Sequence, residues 1–286
     1  SMEKPPSRLL LRKRPDHQGA AQLAERVTKF LKDRGKEVVE YEDLEEINPK
    51  EFDLAIAIGG DGTLLRLFHK IKGAIPILGI KNGSYGLLME LSEEDLIRGL
   101  NKLVEGNFWI EKAPTIEIPE SNVFALNEIL LSTPKIGKAL KMRIFIDGAI
   151  VNGFLGDGLL ISTPLGSLAY ALSEGGPSID PRANVLEIVP VNPWPPSMLV
   201  PTSSTIIPMD STLLIEADRK MLVVPDGCVE ECLLHEKRVK ISVSREKAKL
   251  VRFLTTPHHH YARIIKRISE AKKIAEERFL RKKPFP

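Results

Sequence analysis

Residues 53–63 read DLAIAIGGDGT and decide the fold of the N-terminal part of the chain. The uninterrupted apolar run that ends at Ile58 predicts a buried strand, and a helix is predicted from Thr63 onward. Glycine lets the backbone turn sharply between them and lets a ligand approach the main chain closely. The amides at the start of the following helix then face the space beyond the strand, where phosphate oxygens bind. The stretch therefore predicts a parallel α/β sheet with an anion site at the carboxyl end of one strand.

Asp61 is the unexpected residue of this loop, because a carboxylate beside a phosphate site repels the substrate. A carboxylate is useful there if it accepts a proton from an attacking hydroxyl group or holds a magnesium ion. The alternative is that Asp61 only caps the helix, since Asp is favoured at helix N-caps. The two glycines before Asp61 favour a chemical role, because a helix cap does not need such clearance.

Strand-like and helix-like segments alternate through the N-terminal part of the chain. The segments with the pattern of strands are residues 9–11, 38–41, 53–58 and 75–80. Apolar residues at helical spacing predict a helix over 19–34 and another after Ser92, where Ser92 and Asp95 resemble a capping box. We therefore expect residues 3–106 to form an α/β domain that carries the GGDGT loop, with a parallel sheet.

Short β-like segments follow one another from Asn107 onward. They are residues 109–118, 123–131, 141–146, 158–161, 213–216, 221–224 and 239–243. One predicted helix, over residues 167–173, interrupts them. We expect residues 107–254 to form a β-rich second domain. Residues 255–286 are expected to form a helix that packs back on the first domain or on a subunit neighbour; the alternative is that its basic face attaches to nucleic acid or a membrane surface.

Length and composition are those of an ordinary enzyme with two domains. At 286 residues the chain can bury two cores, and its net charge of +3 does not predict a nucleic-acid partner. Its two cysteines do not indicate a disulfide framework, and no apolar run reaches the roughly 20 residues needed to span a bilayer. No signal peptide is recognisable, so we expect a cytoplasmic protein without a membrane partner.

Two further motifs suit the binding of a nucleoside. Asn127-Glu128 closes a β-like segment; an amide can read an adenine edge, and a carboxylate can bind ribose hydroxyls. Alone this pair is weak, because turns at strand ends often contain Asn and Glu. Residues 156–170, GDGLLISTPLGSLAY, are followed by GGP at 175–177 and again combine glycines, hydroxyl groups and a helix N-terminus.

Residues 58–66, IGGDGTLLR, resemble the signature of the NAD kinase and diacylglycerol-kinase superfamily, and the loop is also similar to that of phosphofructokinases. By itself this motif implies phosphoryl transfer and leaves the substrate open. Together with Asn127-Glu128 and residues 156–177, it closely resembles the NAD kinase family over residues 50–230. The resemblance implies transfer of a phosphoryl group from ATP or polyphosphate to the 2′-hydroxyl of the adenosine ribose of NAD, which gives NADP.

The resemblance also implies roles for individual residues. Asp61 is the expected catalytic residue, as a base or an orienting carboxylate for the 2′-hydroxyl. Contacts with phosphates or the donor are expected from Gly60, Gly62, Thr63 and Arg66. The expected NAD-binding residues are Asn127, Glu128, Asp157, Thr163, Leu165, Leu168, Ala169, Tyr170, Ser173 and Asp226. Magnesium or another divalent cation is expected with the phosphate donor, with no metal held by protein side chains alone, and the family implies a homodimer or homotetramer with sites shared between subunits.

Several positions depart from the family pattern. Leu165 and Leu168 stand where the family usually has Thr or Ser, and residues 194–197 lack the histidine that the family commonly has there. The other substitutions are Lys81 for Asn, Leu87 for Phe and Cys228 for Gln. A lost buried hydrogen bond is worth about 1 kcal/mol, so these changes are expected to tune the nucleotide preference rather than to abolish catalysis.

Two other functions are compatible with these residues: a lipid kinase of the same superfamily, and a catalytically weak NAD(P)-binding regulatory module. The Asn-Glu and Ser-Thr-Pro motifs argue against the first, and the presence of Asp61 argues against the second. A zinc site built from residues 258–260, or from Cys228 and Cys232, is not expected, because three adjacent imidazoles cannot all face one ion.

Overall fold

The computed structural model describes residues 3–42, 47–83, 86–194, 204–228 and 235–253, and scattered positions from 261 to 273. The strands in chain order are β1 (Arg8–Lys13), β2 (Glu37–Glu40), β3 (Leu54–Gly59), β4 (Ile77–Lys81), β5 (Trp109–Ala113), β6 (Ile116–Ile118), β7 (Val123–Ala125), β8 (Glu128–Ser132), β9 (Leu140–Ile146), β10 (Ala149–Gly156), β11 (Gly158–Ser162), β12 (Val185–Val191), β13 (Thr205–Pro208), β14 (Leu213–Pro225), β15 (His235–Val243) and β16 (Ala248–Arg252). The α-helices are α1 (Gln18–Lys32), α2 (Asp61–Ile71), α3 (Leu96–Glu105) and α4 (Tyr170–Ser173), and 3₁₀ turns cover Pro49–Glu51 and Gly166–Leu168.

The chain divides into two compact units, one of residues 1–112 with 248–286 and one of residues 113–247. The first unit is built on a sheet in the order β2-β1-β3-β4-β16-β5, in which the pairs from β2 to β16 are parallel. Every residue of β3 is buried, because a central parallel strand is covered on both faces. That burial explains its uninterrupted apolar sequence, and it confirms the predicted α/β domain with a parallel sheet.

The second unit is β-rich, as predicted. Its antiparallel strands run in the order β13-β12-β11-β8-β14-β15-β6-β7, and the β9–β10 hairpin joins through β14. Alternate residues of each strand face the core: Ile129, Leu131 and Ile161 belong to it. The residues between them, such as Leu130 and Leu160, lie on the opposite face with a smaller apolar cluster.

The two units do not begin and end at the predicted domain boundaries. Residues 107–112 and 248–253 belong to the first unit, because β5 and β16 complete its sheet. The β-like segment predicted over 109–118 is two strands, β5 and β6, which belong to different sheets and are separated at Pro114, which cannot donate a ladder hydrogen bond. That the first domain carries the chemistry and the second binds NAD stays a prediction.

Other predicted elements differ in detail. The strands expected at 213–216 and 221–224 are one strand, β14, with a shift in register between them. The helix expected over 167–173 is a 3₁₀ turn followed by α4, because the backbone of Ala169 is not helical. The helix α3 begins at Leu96 with Asp95 as its N-cap, so Ser92 does not cap it as the predicted capping box requires; the Ser92 hydroxyl instead donates to Asp95 Oδ2 at 3.2 Å. The strands β10, β12, β13 and β16 were not predicted.

The predicted C-terminal helix over 255–286 falls almost entirely outside the described residues. A few positions within it, including Tyr261 and Ile265, are helical, and its packing stays a prediction. Among the described residues, no helix combines the length and the apolar character that a membrane crossing needs.

Candidate functional site

The GGDGT loop joins β3 to α2. Gly59 ends β3 with a φ of +153°, which L side chains rarely adopt, and a side chain there would also collide with the Thr63 hydroxyl. Gly60 is the N-cap of α2, and its carbonyl accepts hydrogen bonds from the amides of Thr63 and Leu64 at 3.0 and 3.3 Å. The turn therefore requires glycine, and it presents the start of α2 beyond the carboxyl end of β3.

The Asp61 carboxylate is held by the backbone of another loop in the same unit. Its Oδ2 accepts a hydrogen bond from the Leu87 N–H and its Oδ1 from the Leu88 N–H, both at 2.9 Å. Asp61 is the first residue of α2 and Gly60 is the N-cap, so the reading of Asp61 as a simple helix cap is wrong. The two amides fix the orientation of the carboxylate, as proton acceptance or cation binding requires.

Gly62, Thr63 and Arg66 follow along α2. Gly62 is exposed, and a side chain there would meet no atom within 4 Å, so the space beside it is open. Thr63 is buried under the loop, whereas Arg66 is exposed. His69 is buried and packs edge-on against Phe68, with 5.7 Å between the ring centroids. Phosphate contacts by the first three residues stay predictions.

In the second unit, Asp226 holds the Asn127-Glu128 pair. Its carboxylate accepts hydrogen bonds from the N–H groups of Leu126, Asn127 and Glu128 at 2.8, 2.7 and 3.1 Å. Because these amides bind the Asp226 carboxylate, they do not continue the pattern of hydrogen bonds between strands, and the predicted strand over 123–131 divides into β7 and β8. Asp226 was expected among the NAD-binding residues; its contacts show that it supports the pair, and a direct contact with NAD stays a prediction.

The other side of the pair rests on the start of the Ser-Thr-Pro segment. Thr163 Oγ1 donates a hydrogen bond to the Leu126 carbonyl at 2.6 Å, and the Thr163 N–H donates to the Asn127 carbonyl at 2.9 Å. A side chain at Gly166 would collide with the same Asn127 carbonyl, so glycine is required there. Thr163 thus also supports Asn127, and its predicted contact with NAD is untested.

Two buried acceptor atoms of the pair, Asn127 Oδ1 and Glu128 Oε2, have no hydrogen-bond partner among the described residues. An unsatisfied buried polar atom costs about 1–3 kcal/mol, so a ligand that supplies a partner gains affinity. Burial first, and then the charge of Asp226, raise the pKa of Glu128 from 4.5 to about 8. Near neutral pH this carboxyl group therefore keeps its proton, and it can donate one hydrogen bond while accepting another.

The remaining predicted NAD-binding residues lie at two places. Those that follow β11 are Leu165, Leu168, Ala169, Tyr170 and Ser173, of which Leu165 is buried and Tyr170 and Ser173 are exposed. Asp157 precedes β11, at the opposite end of the strand from Thr163, and accepts a hydrogen bond from the Asn192 amide at 3.1 Å. Partial burial raises the pKa of Tyr170, and Glu174, Asp157 and Glu128 raise it further.

Metal-binding side chains do not converge in the part of the chain that the structure describes, where no three His, Cys, Asp or Glu residues form a cluster. Cys228 is buried, and its thiol donates to the Asp226 carbonyl at 3.8 Å. The other signals considered for metal or substrate binding, Cys232, residues 258–260 and residues 195–197, lie outside the described residues.

Two features of these sites were missing from the sequence-based prediction. The amides of Leu87 and Leu88 were missed because a backbone donor leaves no residue-type signal. Glu187 was missed because β12 itself was not predicted. The Glu187 side chain is fully buried. In the register of the neighbouring strands β12, β11 and β8, Glu187 lies opposite Ser162, and Ser162 lies opposite Glu128. The strand itself could not be recognised, because Glu187 and Pro190 interrupt its apolar pattern.

Comparison with known proteins gives concordant results for both units. Residues 39–108 match the ATP-NAD kinase N-terminal domain, and residues 126–253 match the ATP-NAD kinase C-terminal domain. The NAD kinase of Thermococcus gammatolerans is 38% identical over 84% of this chain and 92% of its own length. That of Pyrococcus furiosus is 38% identical over 88% of this chain and 96% of its own length.

Solved structures give the same result at the level of the fold. The crystal structure of an NAD kinase from Archaeoglobus fulgidus in complex with ATP matches with a TM-score of 0.78 and 27% identity, over 92% of this chain and 99% of that chain. Yeast NADH kinase complexed with NADH matches with a TM-score of 0.71 over 92% of this chain and 88% of that chain; at 18% identity the likeness concerns the fold alone.

Proposed function

Because this chain belongs to the NAD kinase family, we propose that it transfers a phosphoryl group from ATP or polyphosphate to the 2′-hydroxyl of the adenosine ribose of NAD. The chemical part of the proposal is supported by the Asp61 carboxylate at the start of α2, which the backbone amides of Leu87 and Leu88 hold in a fixed orientation. The relatives of this chain are NAD kinases, which are phosphotransferases with an alcohol acceptor. They do not support the two alternatives, a lipid kinase or a catalytically weak regulatory module.

Asp61 is proposed to orient or deprotonate the attacking 2′-hydroxyl. Phosphoryl transfer depends mainly on positioning and charge neutralisation, so a carboxylate of fixed orientation is worth more than a mobile one. Gly60, Gly62 and Thr63 would offer the start of α2 to phosphate oxygens, and Arg66 would add a positive charge on the exposed side of that helix.

A magnesium ion would enter with the phosphate donor and neutralise charge on the transferring group. Magnesium usually keeps several waters and binds one or two carboxylates together with substrate phosphates. The Asp61 carboxylate suits such sharing in its chemistry, because carboxylate oxygens are ligands that Mg²⁺ binds together with substrate phosphates. The ion would then depend on the donor phosphates rather than on a cage of protein side chains.

Asn127 and Glu128 are proposed to hold the adenosine part of NAD. The support is their two buried acceptor atoms, which have no partner within the described parts of the chain. Since the pKa of Glu128 is raised to about 8, its carboxyl group can donate to one ribose oxygen and accept from another hydroxyl. Asp157 and Tyr170 would complete NAD binding in a homodimer or homotetramer with shared sites, and we propose a cytoplasmic location.

The proposal is tested with purified protein, ATP, Mg²⁺ and NAD, and NADP formation is read with a NADP-specific dehydrogenase. Asp61→Asn is expected to lower kcat by about 10²- to 10⁴-fold while KM for NAD stays within about threefold. The matched control is Asp33→Asn, which removes an exposed carboxylate at the end of α1 in the same unit. The absence of product with the unmodified protein would refute the function, and full turnover by Asp61→Asn would refute the role of Asp61.

A further inference from the structure

Arg252 is a buried cation at the carboxyl end of β16, in the first unit. It is 1% exposed, its Nε donates to Glu111 Oε2 at 2.6 Å, and its Nη1 donates to Glu90 Oε2 at 3.3 Å. A buried charge is tolerated when it is paired and hydrogen-bonded, and these two acids pair with two of its three nitrogens, while Nη2 has no hydrogen-bond partner among the described residues. Burial by itself lowers the pKa of Arg252, but the neighbouring Glu111 and Glu90 carboxylates outweigh that effect and raise it.

Arg252 also contacts the loop that holds Asp61. Its Nη1 donates to the Leu88 carbonyl at 3.1 Å, and the N–H of the same Leu88 donates to Asp61 Oδ1. Glu90 strengthens the attachment, because its other oxygen accepts a hydrogen bond from the Phe253 N–H at 2.9 Å. Residues 87–90 are thus attached to the end of β16 on one side and to Asp61 on the other.

We propose that Arg252 is a positioning residue for Asp61 and acts through the backbone of Leu88. The proposal rests on the proposed function, in which Asp61 handles the acceptor hydroxyl. A planar guanidinium group can donate to two carboxylates and a carbonyl at fixed angles, and a lysine ammonium group on a flexible stem cannot reproduce that arrangement. If the Leu88 peptide shifts, the Asp61 carboxylate loses its orientation; Arg252 itself is buried, so its effect on Asp61 is transmitted through this peptide.

The first test compares Arg252→Lys with Lys249→Met. Lys249 lies three residues earlier in β16, and its Nζ donates to the Ala74 carbonyl at 3.4 Å, so the control also removes a bond from this strand to a backbone carbonyl. Arg252→Lys is expected to lower kcat by about 10- to 100-fold with KM for NAD within about threefold. Lys249→Met should stay within about twofold in both constants. Glu111→Gln, a milder change, should lower kcat in the same direction but less.

A double-mutant cycle separates positioning from a general loss of structure. If Arg252 acts through Asp61, Arg252→Lys in the Asp61→Asn background should lower the residual kcat by less than about threefold. An equal loss in both backgrounds would mean that Arg252 only maintains the folded protein, and it would overturn the proposal.

Amide hydrogen exchange in the absence of substrate provides a readout that does not depend on activity. The amides of Leu87 and Leu88 are expected to exchange at least about tenfold faster in Arg252→Lys than in the unmodified protein or in Lys249→Met. Unchanged exchange at these two amides would overturn the proposal. The two ideas stay distinguishable, because full turnover by Asp61→Asn refutes the chemical role of Asp61, whereas the exchange rates report whether Arg252 holds the loop.

Discussion

Replacement of Glu187 by Gln is expected to remove part of the pH dependence of the stability of the second unit. Glu187 lies on the face of β12 opposite the core; it is 0% exposed, and neither carboxyl oxygen has a hydrogen-bond partner among the described residues. Its Oε1 lies against Gly176, where no side chain would fit. Burial raises its pKa from 4.5 to about 7.

The sign of the effect follows from the proton count. Well below pH 4.5 the group is protonated in both states and contributes no pH dependence. As the pH rises, the unfolded chain releases this proton while the folded protein keeps it, so the free energy of unfolding falls until the folded group also ionises near pH 7. Between pH 5 and pH 8 this one group should lower the free energy of unfolding by about 2.5 kcal/mol.

Glu128 acts in the same direction, because its pKa is raised to about 8. Glu187→Gln should therefore reduce the pH dependence of stability without abolishing it. Glu187→Leu should also remove the unsatisfied polar atoms, and it should be more stable than the unmodified protein at pH 8. The control is Glu236→Gln on β15, where the side chain is exposed and no such effect is expected.

The assay is urea unfolding at pH 5 and pH 8. Unfolding is followed by far-UV circular dichroism, to which the many strands of the second unit contribute. The reasoning is refuted if Glu187→Gln and the Glu236→Gln control lose the same free energy of unfolding between the two pH values. In that case Glu187 ionises with an ordinary pKa and has found a partner or solvent.

Three further substitutions test the support of the Asn127-Glu128 pair and the departures from the family pattern. Asp226→Asn replaces one carboxylate oxygen, which accepts backbone N–H groups, by an NH₂ group, which can only donate. The substitution should raise KM for NAD by at least about tenfold and lower the free energy of unfolding in urea by about 2–3 kcal/mol. The control, Asp210→Asn at an exposed position, should change neither quantity. Gly166→Ala should lower the free energy of unfolding by about 1–3 kcal/mol in the same assay, because the added methyl group would collide with the Asn127 carbonyl. In the control, Gly153→Ala, the nearest atom would lie 3.5 Å from the added methyl group, so the free energy of unfolding should not change. If the NAD site lacks a hydroxyl group at position 165, Leu165→Thr should lower KM for NAD severalfold, but by less than about tenfold. An unchanged KM would show that no hydroxyl group is missing there.

The N-terminal sheet could be predicted because its central strands are buried on both faces. Such strands appear as continuous apolar runs, and β3 with its glycine loop is the clearest case. The membership of β5 and β16 in this sheet could not be predicted, since it depends on pairing between distant segments. In β12 the apolar pattern is interrupted by Glu187 and Pro190, and a strand with a buried acid and a proline does not follow the rule that reveals strands.

The residues of the candidate site were predictable by type and spacing, but their supports were not. Asp61 and Asn127-Glu128 lie in short motifs whose residue types suit phosphate and nucleoside chemistry. Asp226 binds amides 98 to 100 residues away, and Asp61 binds amides 26 and 27 residues away. Those donors belong to the backbone of Leu87, Leu88 and residues 126–128, and a backbone N–H is the same in every residue except proline.

The hydrogen-bond partners of four acids separate two kinds of role. The carboxylates of Asp61 and Asp226 accept backbone amides on both oxygens, so each is fixed before any ligand arrives. Glu128 and Glu187 are buried with oxygens that lack a partner in the described chain, so burial favours their neutral forms. A ligand can relieve that cost only where it reaches the acid. If NAD binds Glu128, adding NAD should change the pH dependence of the free energy of unfolding that remains in Glu187→Gln. The difference in pH dependence between the unmodified protein and Glu187→Gln should stay the same with and without NAD.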